Sequence, residues 1–200
     1  MNQNRHLARQ LADDALRHGS PLKWFEQLYL EANGNASSIP WADLQPNPNL
    51  VEWFDRSGLK GSGKRALVIG CGLGDDAEFL ASVGFNVVAF DISATCIDWC
   101  HQRFSQSPVS YEVADLLNEI EQFGEPFDFV FEAYTLQVLP AELRSLAIDC
   151  ISSQVKKDGT LLVITRGRDL NDDRGNMPWP LVRSELHRFE NSGLREIESR

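Results

Sequence analysis

The sequence predicts an α/β protein with a doubly wound, mostly parallel sheet flanked by helices, and three observations carry that expectation. Ala66 to Ile69 is an apolar run without alternation, the pattern of a parallel strand buried on both faces. Gly70, Gly72 and Gly74 interrupt it and open a helical stretch from Asp76 to Val83. Gly84 stops that helix, and a second buried strand, Asn86 to Phe90, ends at an acid, Asp91. Strand, glycine turn, helix and strand make half of a mononucleotide-binding fold.

The other elements follow in order along the chain. Residues 5–18 carry Leu7, Leu11, Ala15 and Leu16 at helical spacing, and Gly19-Ser20-Pro21 ends that helix. Residues 21–54 hold Trp24, Trp41 and Trp53 and four of the nine prolines. Trp24, Phe25, Leu28 and Tyr29 fall on one helical face, which is expected to pack on the sheet. Ser38 to Pro48 is too rich in proline and apolar groups for a loose linker, so it is expected to follow a fixed path as a lid. Past Asp91, Ser93 caps a helix to about Phe104, with Ile97, Cys100 and Phe104 spaced for the core. Val109–Ala114 is the third strand, followed by Asp115 and Leu116, and Pro126–Glu132 is the fourth. A helix from Pro140 to about Val155 turns Leu143, Ala147 and Ile151 inward. Lys157-Asp158-Gly159 then leads into a fifth strand, Thr160–Thr165, with Gly159 as the left-handed residue. A second proline–tryptophan loop spans residues 166–183, Ser184–Asn191 is the last helix, and Leu194–Glu198 is a sixth strand.

The turn chemistry selects the ligand. Alternate glycines let a ligand lie against the backbone, facing the free amides that open the helix. An acid at the end of the second strand suits the two hydroxyls of a ribose. A dinucleotide turn needs a small residue at position 75, where this chain has Asp, and Asp75 with Asp76 would repel a phosphate at the helix N-terminus. A nucleoside with a cationic tail fits better.

With Gly70-x-Gly72-x-Gly74 and Asp91, the chain resembles the class I S-adenosylmethionine-dependent methyltransferases. Ile39-Pro40-Trp41 and Pro46-Asn47-Pro48 ahead of the first strand narrow the resemblance to the thiopurine, halide and thiol methyltransferase branch. It implies a Rossmann-like methyltransferase sheet whose Pro40-Trp41 loop covers the sulfonium of the cofactor; an indole face attracts such a cation. The branch usually has Trp-Asp together, whereas here Ala42 separates Trp41 from Asp43. The resemblance assigns Gly70, Cys71, Gly72, Gly74 and Asp76 to the methionine end, and Asp91 and Ile92 to the ribose and adenine. Asp115 and Leu116 fall to the adenine, and Glu132, just past the switch point between first and fourth strands, to the cofactor as well. Trp41, Tyr134 and Trp179 would shape the methyl-transfer pocket. Arg166 and Arg168 either hold an anionic acceptor or pair with Asp169, Asp172 and Asp173. In-line displacement from a sulfonium needs alignment more than acid–base work, so no general base is assigned. The expected acceptor is a small soft nucleophile: a thiol, thiopurine, halide or chalcogen anion. The fold's usual seventh, antiparallel strand has no residues left to form it, so either the sheet lacks that strand or the chain is a truncated form. The edge left unpaired invites association, giving a monomer or weak homodimer.

Composition supports one domain of 200 residues, with residues 1–60 as helical cap and lid and 61–200 as cofactor-binding core. A net charge of -10 argues against nucleic acid or an anionic membrane as partner, and no apolar run reaches the length of a membrane span. The N-terminus lacks an apolar signal core, and a cytoplasmic location is expected. Cys71, Cys96, Cys100 and Cys150 form no C-x-x-C pair, and His6, His18, His101 and His187 are scattered, so four reduced thiols and no metal site are expected. The rival reading is a non-catalytic module or subunit that binds S-adenosylmethionine on the same fold.

Overall fold

The computed structural model describes residues 2–200. Among them, five strands form one all-parallel sheet in the order β3-β2-β1-β4-β5: β1 (Arg65–Ile69), β2 (Asn86–Asp91), β3 (Ser110–Val113), β4 (Phe127–Ala133) and β5 (Val155–Ile164). β1 sits at the centre because both its faces are apolar and buried, and the order reverses beside it, between β2 and β4. That reversal opens a crevice at the carboxyl ends of the strands.

Helices cover both faces. α4 (Asp75–Ser82), α5 (Ala94–Arg103) and α6 (Ala141–Ser153) follow β1, β2 and β4 as crossovers. On one side of the sheet Val68, Phe129 and Phe131 pack with Leu50, Phe54, Leu80 and Ile97; on the other Leu67, Ile69 and Val130 pack with Ala147, Ile148 and Ile151. Leu143, read as inward, is only half-buried, and Arg144 takes the buried position beside it. Ser93 caps α5 by accepting from the Cys96 amide, as the sequence predicts.

The N-terminal segment forms α1 (Asn2–Arg17), α2 (Lys23–Ala32) and α3 (Pro48–Ser57). Trp24, Leu28 and Tyr29 are buried, but against α1, Cys96 of α5 and the loop residue Met177 rather than on the sheet, which corrects the expectation. Glu26 fixes α2 in place: its carboxylate accepts from the hydroxyls of Ser93 and Thr95, both at 2.6 Å. α3 was not foreseen, although Asn47 followed by Pro48 is a strong helix start, with the Asn47 side chain accepting from the Asn49 amide at 3.0 Å.

Two further expectations need correction. β5 begins at Val155, and its left-handed residue is Asp158 (φ 64), not Gly159. Gly159 is required for space: a Cβ there would lie 2.8 Å from the Lys156 carbonyl and 3.0 Å from that of Phe127. The sixth strand does not form either. Residues 194–200 carry no strand pairing and are tied by exposed ion pairs, Glu198 to Arg56 of α3 and Glu196 to Arg183. The last helix is split into α7 (Arg183–Leu186) and α8 (Arg188–Asn191). No helix among the described residues is long and apolar enough to cross a membrane.

Candidate active site

A cavity of about 460 Å³ lies over the carboxyl ends of the strands, at the crevice beside β1. Its floor is the turn after β1. Gly70, Gly72 and Gly74 all have positive φ, so the turn doubles back twice within five residues. Gly70 and Gly72 line the cavity with Cys71. Gly74 does not: a Cβ there would meet the Tyr111 hydroxyl at 2.6 Å, so this glycine lets β3 pack under the start of α4.

Asp91 locks the turn to the end of β2. One carboxylate oxygen accepts from the Gly72 amide at 3.1 Å, the other from the Ser93 amide at 3.1 Å. Burial pushes the carboxyl up to about 6, against the pull of those amides. Asp76 lines the cavity at the start of α4 and accepts from the Asn47 amide at 2.6 Å, which joins the first helix turn to the lid segment. Burial raises it to about 6 as well. Asp75 is instead paired with Arg103, at 2.8 Å. Beneath the turn, the thiols of Cys96 and Cys100 converge on the Gly72 carbonyl at 2.9 and 3.2 Å.

Ile92, Asp115 and Leu116 extend the wall beyond β2 and β3. The Asp115 carboxylate is already engaged in its own turn, accepting from the Leu117 amide at 2.8 Å and the Asn118 side chain at 2.7 Å.

Trp41 stands beside Gly72. Its Nε1 lies 3.8 Å from where a Gly72 side chain would begin, and it donates to the Tyr29 hydroxyl at 3.2 Å. Edge contacts to Trp24 and Tyr29, at 6.0 and 6.3 Å between ring centres, hold the indole upright. The Pro-Trp loop therefore covers the turn.

The opposite wall comes from the segments after β4 and β5 and from α1. Tyr134 lines it with φ 66, an unusual value for a tyrosine, its amide donating to the Ile164 carbonyl at 2.9 Å. Glu132 is fully buried and does not line the cavity; one oxygen accepts from the Thr135 and Leu136 amides, at 2.6 and 3.0 Å, and so shapes the turn that presents Tyr134. Burial lifts this carboxyl to about 7. The Trp179 side chain likewise stands outside the cavity, beneath the Arg174 guanidinium at 4.7 Å, while its backbone amide donates to the Gln137 carbonyl at 2.7 Å. Met177 and Pro178 take the wall position that the sequence suggested for Trp179. Gln137 was not singled out in the sequence, yet its side-chain oxygen accepts from the Arg166 amide at 3.0 Å and the Thr165 hydroxyl at 3.2 Å, latching the ends of β4 and β5 together. Arg168 takes neither alternative read for it. Its guanidinium donates to carbonyls of its own loop, including those of Asp172 and Pro180.

With this geometry in place, the relatives are informative. A family described as a methyltransferase domain matches residues 66–159, from β1 into β5. The chain resembles the class I S-adenosylmethionine-dependent methyltransferases. It is 27% identical over 160 residues to a probable thiol methyltransferase of Arabidopsis thaliana, covering 79% of this chain and 69% of that one. It is 28% identical over 145 residues to a thiocyanate methyltransferase of Brassica oleracea, covering 72% of this chain and 62% of that one. A TehB-like methyltransferase structure from Corynebacterium glutamicum shares the fold at TM-score 0.59 and 21% identity, over 84% of this chain and 83% of that one. The chain thus resembles the thiol methyltransferase branch, and its cofactor is S-adenosylmethionine. The cavity residues fit that cofactor: side-chain-free backbone at Gly70 and Gly72, a buried acid at the end of β2, and an indole beside Gly72.

Proposed function

We propose that this chain transfers the methyl group of S-adenosylmethionine to a small acceptor whose reacting atom is a soft nucleophile, such as a thiolate, thiopurine sulfur, halide or chalcogen anion. The observation that carries this reading is how charge is sorted in the cavity. Its carboxylates, Asp75, Asp76, Asp91 and Asp115, stand after β1, β2 and β3, and Asp43 stands in the Pro-Trp loop. The wall formed by Tyr134, Gln137, Val138, Arg166, Met177 and Pro178 contains no carboxylate and no imidazole. An alcohol or carbon acid must surrender a proton as it reacts and needs a base beside it. A soft anion does not.

The bound cofactor supplies a methyl group on a cationic sulfur that departs as a neutral thioether. The residues of the chain hold and align. Gly70, Cys71, Gly72 and Asp76 take the methionine end, Asp91 and Ile92 the ribose and adenine, and Asp115 and Leu116 the adenine. Trp41 covers the sulfonium and excludes water from it. Tyr134 sets the approach of the acceptor, so that the rate comes from alignment. Gly74, Glu132 and Trp179 act as positioning residues: the first by admitting Tyr111, the other two by shaping the segment from Tyr134 to Gln137.

The test is calorimetric titration with S-adenosylmethionine, followed by measurement of S-adenosylhomocysteine formed with a panel of thiols, thiopurines, halides and selenium or tellurium anions, and with phenols and catechols as controls. Product with soft nucleophiles and none with the phenols is expected. Turnover of the phenols alone overturns the reading, and cofactor binding without turnover on any acceptor turns it into the non-catalytic module.

A further inference from the structure

We infer that Arg5, Arg9 and Arg166 form an anion-recognition rim on the acceptor side of the cavity, so that the acceptor carries a fixed carboxylate-like group apart from its reacting sulfur. The inference deepens the proposed reaction and rests on it.

Among the described residues, seven of the fourteen arginines of this acidic protein, Arg17, Arg56, Arg103, Arg144, Arg183, Arg188 and Arg200, pair with a carboxylate. Of the seven that do not, Arg5, Arg9 and Arg166 line the cavity while Arg65, Arg168, Arg174 and Arg195 stand outside it. Arg9 donates through Nε to the Met177 carbonyl at 2.7 Å, which seats α1 on the loop after β5 and leaves its terminal amino groups uncommitted to a carboxylate. Arg166 is anchored through its backbone amide to Gln137, at 3.0 Å, so its side chain carries no part of the fold's hydrogen bonding.

Local physics disfavours this arrangement. Arg5 and Arg9 stand four residues apart on α1, where like charges repel, and Arg5 lies near the helix N-terminus, where positive charge opposes the dipole. The first turn of α1 contains no acid to offset it. Sequences that break local rules in this way do so at functional sites. Guanidinium groups bind carboxylates as paired donors, and a cluster of them also lowers the pKa of a nearby thiol. The rim would thus hold the acceptor and favour its thiolate, which accounts for a wall without a base.

The test compares 3-mercaptopropionate with 3-mercaptopropionamide in wild type, Arg166→Gln and the double variant Arg5→Gln/Arg166→Gln. Cofactor affinity and melting temperature should match wild type in both variants, since both side chains are exposed. The acid-to-amide ratio of kcat/KM should fall about tenfold in the double variant, through KM, as expected for loss of charged hydrogen bonds. Arg5→Lys/Arg166→Lys should recover much of the ratio. The second readout is calorimetric binding of 3-(methylthio)propionate and its amide to protein saturated with S-adenosylhomocysteine; wild type should prefer the acid and the double Gln variant should not. Equal binding of acid and amide by wild type, or a preference that survives in the double Gln variant, overturns the rim. Should wild type turn over neither thiol, the wider acceptor panel decides the soft-nucleophile reading, and the binding comparison alone decides the rim.

Discussion

The wall between Ile69 and Ser93 and the wall facing it are assembled from different distances along the chain. In the first, Gly72 meets Asp91 across 19 residues, and strand, turn, helix and strand follow one another without interruption. In the second, Arg9 reaches Met177 across 168 residues, and Tyr134 and Arg166 arrive from the separate segments after β4 and β5. The near wall is specified by local sequence and buried under the sheet's own crossovers. The far wall exists only once the helical cap has docked. A fold divided in this way can keep its cofactor half fixed while loop changes alter the acceptor, the usual division of labour between scaffold and loops.

Removing Trp24 should break the far wall and spare the near one. The indole is fully buried among α1, α2 and the Pro-Trp loop, so Trp24→Ala should cost about 3–5 kcal/mol. Hydrogen exchange should show α1 and α2 opening while β1 and β2 stay protected. Equal loss of protection throughout would mean that the two walls form one cooperative unit.

Asp91→Asn strikes the near wall. It should weaken cofactor binding by about 1.5–3 kcal/mol, the range for hydrogen bonds to a charged group, and unchanged affinity in a titration would remove Asp91 from the ribose site. The same wall should respond to pH. Asp91 and Asp76 near 6 and Glu132 near 7 all lie above their ordinary values, so the folded chain holds protons that the unfolded chain has released. Their contribution to stability is full below the ordinary carboxylate range and is lost as pH rises through about 6 to 7. The melting temperature of the free protein should therefore fall from about pH 5 to 7.5, and less steeply with cofactor bound, because a ribose donating to Asp91 favours its charged form. A melting temperature that rises over this interval would show that the three acids are not held up.

The finest test concerns Trp41, which joins the two walls. It is 37% exposed where Trp24 is 1% exposed, so its packing contribution should be the smaller. An indole over a sulfonium should favour S-adenosylmethionine over S-adenosylhomocysteine by about 0.5–2 kcal/mol, and Trp41→Ala should erase that preference. Equal loss of affinity for both ligands, with a large drop in the free protein's melting point, would make Trp41 a packing residue.

What could be read from the sequence follows the same division. The stretch from β1 to Asp91 was legible to within a residue because each signal, apolar run, glycine, cap and acid, acts on its neighbours. The position of Glu132 was legible in principle, since strand parity puts it with Val130 on the α6 face rather than with Phe131. Gln137 was not: its partners, Thr165 and Arg166, become neighbours only through β-sheet pairing. Leu194–Glu198 has its two apolar residues, Leu194 and Ile197, three apart rather than two, so neither face of a strand would be apolar, and its acids find arginines instead. Trp179 illustrates a third limit, because a loop's sequence does not say which of its apolar residues turns inward.

The thiols gathered under the Gly72 carbonyl give the near wall a built-in chemical timer. Cys96 and Cys100 are sealed beneath the turn and Cys71 lies within it, while Cys150 on α6 is half-exposed. A thiol-specific reagent should therefore modify the native chain first at Cys150, and the delay before the other three react records how often the turn lifts off α5.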